Sequence, residues 1–169
     1  MSTQKIPRPH IFTPPDFTLI TRDDFGRRVK KPLIGRYLVT IGGRTPVNPH
    51  DLFLATEKVP SDVRGITEVS YTHAENYLSW NPRHIYGKGN AYLHTPDIFI
   101  EHFGVSLATI RAVTDLIERQ KPVNARDILT CIGRWQIAVV SEYGFTESEA
   151  GILLHAANKL EAAVNSCPK

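Results

Sequence analysis

At Thr95 the spacing of apolar residues changes from about two to about 3.6, and one type of secondary structure cannot satisfy both periods. Upstream, "FTLIT" (17–21), "GRYLVTIGG" (35–43) and "GITEVSY" (65–71) carry the β-branched and aromatic content of half-buried strands. The stretch "RDDFGRR" reads as the turn between the first two, and Gly42-Gly43 ends the second. Residues 48–59, "NPHDLFLATEKV", suit a short helix or a buried strand equally, and "HAENYLSWNP" reads as a helical turn or a loop. "RHIYGKGNAYLH" reads as a loop or loose hairpin with Gly87 and Gly89 at its tip.

Downstream the pattern is helical. Thr95 can cap a short helix that has Pro96 in its first turn and ends near Phe103. Gly104 permits a sharp turn, Ser106 can cap the next helix, and Leu107, Ile110, Val113, Leu116 and Ile117 place a single apolar stripe along it. Lys121-Pro122 ends that element, and Asn124 with Asp127 opens another, with Ile128, Ile132, Trp135 and Val139 on one face and Gly144 as its stop. "TESE" (146–149) is a capping box for a last helix with Ile152, Leu153, Ala156, Ala157, Leu160 and Val164 inward. The expected fold class is therefore α+β: a small mixed or antiparallel sheet in the first half and a unit of three to four helices in the second. Pro7, Pro9, Pro14 and Pro15 mark residues 1–15 as an extended arm, residues 16–94 form a β-rich lobe, and residues 95–169 form a helical unit. At 169 residues the two can share one core.

The segment "TPDIFIEHFGVSLATIRAVTDLIERQ" (95–120) resembles the helix-turn-helix of DNA-binding proteins through Gly104, Val105, Ser106, Ile110 and Val113. That resemblance implies a second helix lying in the major groove, with Ser106, Leu107, Ala108 and Arg111 nearest the bases. Arg111 is the residue there suited to a bidentate contact with guanine. It also implies phosphate contacts from Thr95, Arg119 and Lys121. Two helices packed at a tight corner would give the same spacing.

Charge divides unevenly along the chain. Residues 1–95 hold 13 Lys and Arg against 8 Asp and Glu, and residues 96–169 hold 7 against 9. Because neutralising phosphates with Lys and Arg releases counterions, a nucleic-acid backbone is expected at Arg27, Arg28, Lys30, Lys31 and Arg36 of "RDDFGRRVKKPLIGR". The leading expectation is a sequence-specific transcriptional regulator that binds duplex DNA as a homodimer, with the apolar final helix supplying the interface. A protein-interaction module without nucleic-acid binding is the alternative. A third reading is a metal-independent ribonuclease using His84 and His94, with Glu68 or Glu75 as carboxylate, because imidazoles transfer protons near neutral pH.

Other chemistry finds little support. Cys131 and Cys167 are too few for a disulfide framework, and the seven histidines include no i, i+4 pair, so no metal or cofactor is expected. Walker-type, G-x-G-x-x-G and G-x-S-x-G patterns are missing. No apolar run reaches 18 residues and the N-terminus lacks a signal-peptide pattern, so the expectation is a cytoplasmic protein without a membrane partner.

Overall fold

The computed structural model describes residues 13–41, 63–74, 87–94 and 100–167. Four strands, β1 (Phe17–Arg22), β2 (Arg28–Ile41), β3 (Val63–His73) and β4 (Gly87–His94), are followed by three helices, α1 (Glu101–Gln120), α2 (Ala125–Tyr143) and α3 (Glu147–Asn165). The strands form an antiparallel sheet in the order β1-β2-β3-β4. The class is α+β; of the arm expected over residues 1–15, residues 1–12 lie outside the described residues, while Pro14 is buried and the Thr13 carbonyl accepts from Trp135 Nε1 at 3.0 Å.

Side chains alternate between the faces of the sheet. Leu19, Leu33, Val69, Tyr71 and Ala91 point to the helices and join Val105, Ile110, Val113, Leu116, Ile128, Ile132 and Leu160 in one core. The helix that seats on the sheet is α1, lying across β4 and β3. It comes close because β4 presents glycines. A Cβ at Gly87 would meet the Ala112 carbonyl at 2.5 Å, and one at Gly89 would strike the Ala108 carbonyl and the Ala112 nitrogen. Gly87 and Gly89 are thus not the tip of a loop. They are strand residues of β4, Gly87 its first, that clear a bed for a helix.

A second correction concerns residues 95–120. Gly104 makes no corner, for its N–H donates to the Ile100 carbonyl at 3.0 Å and the helix runs unbroken from Glu101 to Gln120. The missing side chain there serves packing, since a Cβ would meet Thr67 Oγ1 at 2.8 Å. Ser106 is not a cap either; its hydroxyl donates back to the His102 carbonyl at 2.6 Å, within the helix. Of the short helix expected from Thr95 to about Phe103, residues 95–99 lie outside the described residues, Ile100 is extended, and Glu101–Phe103 are the first turn of α1.

Both outer strands are bonded along part of their edges by the helical half. On β4, the Lys88 N–H donates to Asp115 Oδ2 at 3.1 Å and the Asn90 carbonyl accepts from Arg111 at 2.7 Å. On β1, the Ile20 N–H donates to Asn124 Oδ1 at 2.8 Å, the Val123 N–H donates to the Ile20 carbonyl at 2.7 Å, and the Asn124 amide donates to the Thr18 carbonyl. Asn124 therefore starts α2 without capping it, its side chain being committed to the sheet. The Thr146–Glu149 capping box of α3 forms as its sequence suggests. No helix among the described residues is long and apolar enough to cross a membrane.

The glycine bed is testable. Gly89→Ala is expected to lower stability by about 1–3 kcal/mol through overpacking against α1. Gly133→Ala, in open space on α2, should raise it by about 0.5–1 kcal/mol from helix propensity alone. Urea denaturation of both variants decides the matter; an unchanged Gly89→Ala midpoint would contradict the close seat of α1.

Candidate nucleic-acid interface

Strand β2 is longer than its partners, and this exposes part of it. Arg28–Leu33 pair with β1, whereas pairing with β3 begins only at Leu33 and His73. The β1–β2 hairpin therefore runs on as a two-stranded ribbon past the body of the sheet. Pro32 sits at that junction, opposite Thr18. The Thr18 carbonyl is turned outward to Asn124, so by the alternation of the ladder the donor that Pro32 lacks would have pointed toward β3, which has ended there.

The ribbon holds Arg22, Arg27, Arg28, Lys30 and Lys31 against Asp23 and Asp24. Arg22 and Arg28 face each other across the strands, and the same alternation puts Lys30 on their face. All three are exposed. That face is the one turned away from the core. Lys31 lies on the opposite, core-facing side beside Leu19 and is half-buried. Lys30 also lines a cleft of about 390 Å³ with Asp16, Asn124, Asp127 and Cys131.

At the tip, Asp23 organises the turn. Its Oδ1 accepts from the Phe25 N–H at 2.9 Å and from the Arg27 N–H at 2.8 Å, and its Oδ2 holds the Arg27 guanidinium at 3.0 Å. Gly26 takes a positive φ of 79° and its carbonyl accepts from Arg22. The backbone donation from Arg27, more than the side-chain pair, holds the Asp23 carboxyl below its usual range.

Further along the outward face, Arg36, Ser70 and Lys88 stand in register across β2, β3 and β4. Glu68 is buried here, and Lys88 Nζ lies 3.7 Å from its carboxylate. Ser70 is fully buried, so Arg36 belongs to an enclosed polar row and not to the open ribbon.

The residues expected to read bases lie elsewhere. Ser106, Leu107 and Ala108 are buried in the seat of α1 on the sheet and cannot reach a groove in this structure. From Gly104 to Val113 Arg111 alone is exposed, and its guanidinium caps the Asn90 carbonyl. Burial lowers the pKa of Arg111 somewhat. Arg119 pairs with Asp115 at 2.9 Å. Lys121 ends α1 in a left-handed conformation and lines a cleft with Lys159 and Cys167. Thr95 and His84 fall outside the described residues, as does the side chain of His94. Glu68, read as a carboxylate available for catalysis, instead faces Lys88 in the buried row.

The thiols of Cys131 and Cys167 are both raised by partial burial. Tyr71, fully buried, has its phenol pushed well up by desolvation, with Cys131 and Asp16 adding to the effect. Among the described residues no group of three or more potential metal ligands comes together. No protein family, curated protein or solved structure matches the chain.

Sequence reasoning missed two features that matter here, the protruding ribbon and the buried Glu68–Lys88 row. The alternation of Arg22 with Thr21, and of Arg28 and Lys30 with Val29 and Lys31, carried the signal for the first. For Arg111 the structure implies a structural part: Arg111→Ala should cost about 1 kcal/mol by uncapping β4 and leave affinity for any nucleic acid unchanged. Chemical denaturation and fluorescence anisotropy on the same variant check both halves of that statement.

Proposed function

We propose that the protein binds nucleic acid through the β1–β2 ribbon, duplex DNA being the first partner to test. The observation that carries this reading is the alignment of Arg22, Arg28 and Lys30 on one exposed face of a two-stranded ribbon that protrudes from the sheet. An antiparallel ribbon fits the major groove, and a row of cations at strand spacing can follow a phosphate backbone. The helix-turn-helix mode is set aside, because its reading face is occupied by the sheet. A protein of this kind would act in the cytoplasm, and a regulatory role would rest on contacts from the ribbon.

One observation favours a second reading, docking of a protein partner or a second copy on the helical layer. Ile137 and Val140 of α2 and Leu154 of α3 are exposed apolar side chains.

The test is a salt titration. Affinity for a labelled random-sequence duplex should fall steeply as salt rises, and the Arg28→Ala/Lys30→Ala variant should flatten the log–log slope by about two. Missing binding of both this duplex and its separated strands at low salt would overturn the ribbon reading and favour the second one. Binding with a slope unchanged in the double variant would overturn it as well.

A further inference from the structure

The ribbon's cations do not distinguish paired from unpaired nucleic acid. Its tip carries a different kind of side chain. Phe25 is 82% exposed, and the turn that presents it is fixed by Asp23 through the backbone N–H groups of Phe25 and Arg27. A second pair of bonds closes the same turn, from Asp23 N–H to the Arg27 carbonyl at 2.8 Å and from Gly26 N–H to the Asp23 carbonyl at 2.9 Å.

The Arg27 guanidinium lies 5.1 Å from the centre of the Phe25 ring and is itself tied to Asp23 Oδ2. This cation–π contact orders the ring and occupies one side of it. Apart from Phe25, the large exposed apolar side chains among the described residues are Tyr92 on β4, Ile137 and Val140 on α2, and Ile152 and Leu154 on α3. Among the described residues, Phe25 therefore belongs to no apolar patch of the kind a protein partner buries. Its neighbours in the ribbon are the cations Arg22, Arg27 and Arg28 and the carboxylates Asp23 and Asp24, of which Asp23 is committed to the turn.

An ordered ring on a turn flanked by Arg22 and Arg28 matches a nucleobase attached to a phosphate chain. From this geometry we infer that Phe25 is a stacking platform for an unpaired base, so that the preferred ligand is single-stranded or locally opened nucleic acid. The base takes the ring face left open by Arg27, while Arg22 and Arg28 hold the flanking phosphates. This inference rests on the ribbon reading and narrows its ligand.

The experiment uses the full chain and a twelve-nucleotide oligothymidine carrying one central 2-aminopurine, alongside the duplex of the same sequence. Phe25→Ala should weaken single-strand binding about tenfold at an unchanged salt slope and abolish the 2-aminopurine fluorescence change. Phe25→Tyr, which keeps a stacking ring, should restore both. Arg28→Ala/Lys30→Ala should lower the slope and leave the fluorescence change of the saturated complex. Phe25 is exposed, so its variants should melt with the wild type.

Salt-dependent binding that is equally tight in Phe25→Ala would overturn the stacking inference and leave the ribbon reading standing. No binding of strand or duplex at low salt would overturn both. Phe25-dependent binding to phosphatidylserine-containing vesicles, with no binding of the oligonucleotide, would move Phe25 to a membrane surface and overturn the inference.

Discussion

The close approach of α1 to β4 governs much of what the rest of the chain can do. With no side chain at Gly87 or Gly89, the backbones of strand and helix come into direct contact, and Ala108 and Ala112 are the small residues that let them. Once seated, α1 is buried from Gly104 to Val113 except at Arg111, with Leu116 and Ile117 continuing the core. The same placement brings Arg111 and Asp115 to the edge of β4, and the loop after the helix brings Val123 and Asn124 to β1. Exposed strand edges are templates for unwanted pairing, and here one helix and its exit loop cover β4 at Lys88 and Asn90 and β1 at Thr18 and Ile20.

This seat also explains which surface is left for function. A helix committed on one side to the sheet and on others to α2 and α3 keeps Ser106, Leu107 and Ala108 away from a groove. The β1–β2 ribbon, by contrast, runs beyond β3 and keeps its outward face open. Its positive charge follows the division between the two halves of the sequence, the basic half forming the strands and the acidic half the helices.

The fold class, the first strand and turn, the capping box at Thr146 and the stop at Gly144 were legible because each depends on local chemistry. The rest depended on tertiary contact. Residues 29–34 carried no strand assignment, yet they belong to β2, and Pro32 is tolerated there because the neighbouring strand has already ended. Gly104-Val105-Ser106 has the spacing of a helical corner, but the same three residues continue a helix when a sheet rewards their small volume. A usable signal was present: Gly104, Ala108 and Ala112 recur every four residues, and Gly87, Gly89 and Ala91 every two. Those are matched small-residue stripes on a helix and a strand. Of the expected phosphate-binding residues, Arg28 and Lys30 lie on the open face, Lys31 on the other face and Arg36 in the enclosed row, a distinction set by strand register that charge counting does not contain.

The most direct test of where the protein meets its ligand is amide chemical-shift mapping on titration with an oligonucleotide. The account expects perturbations concentrated between Arg22 and Lys31, with the amides of Val105 to Val113 unmoved and still protected from exchange. Shifts centred on Ser106, Leu107 and Ala108, with loss of protection at Gly104, would show α1 opening to engage nucleic acid and would contradict it.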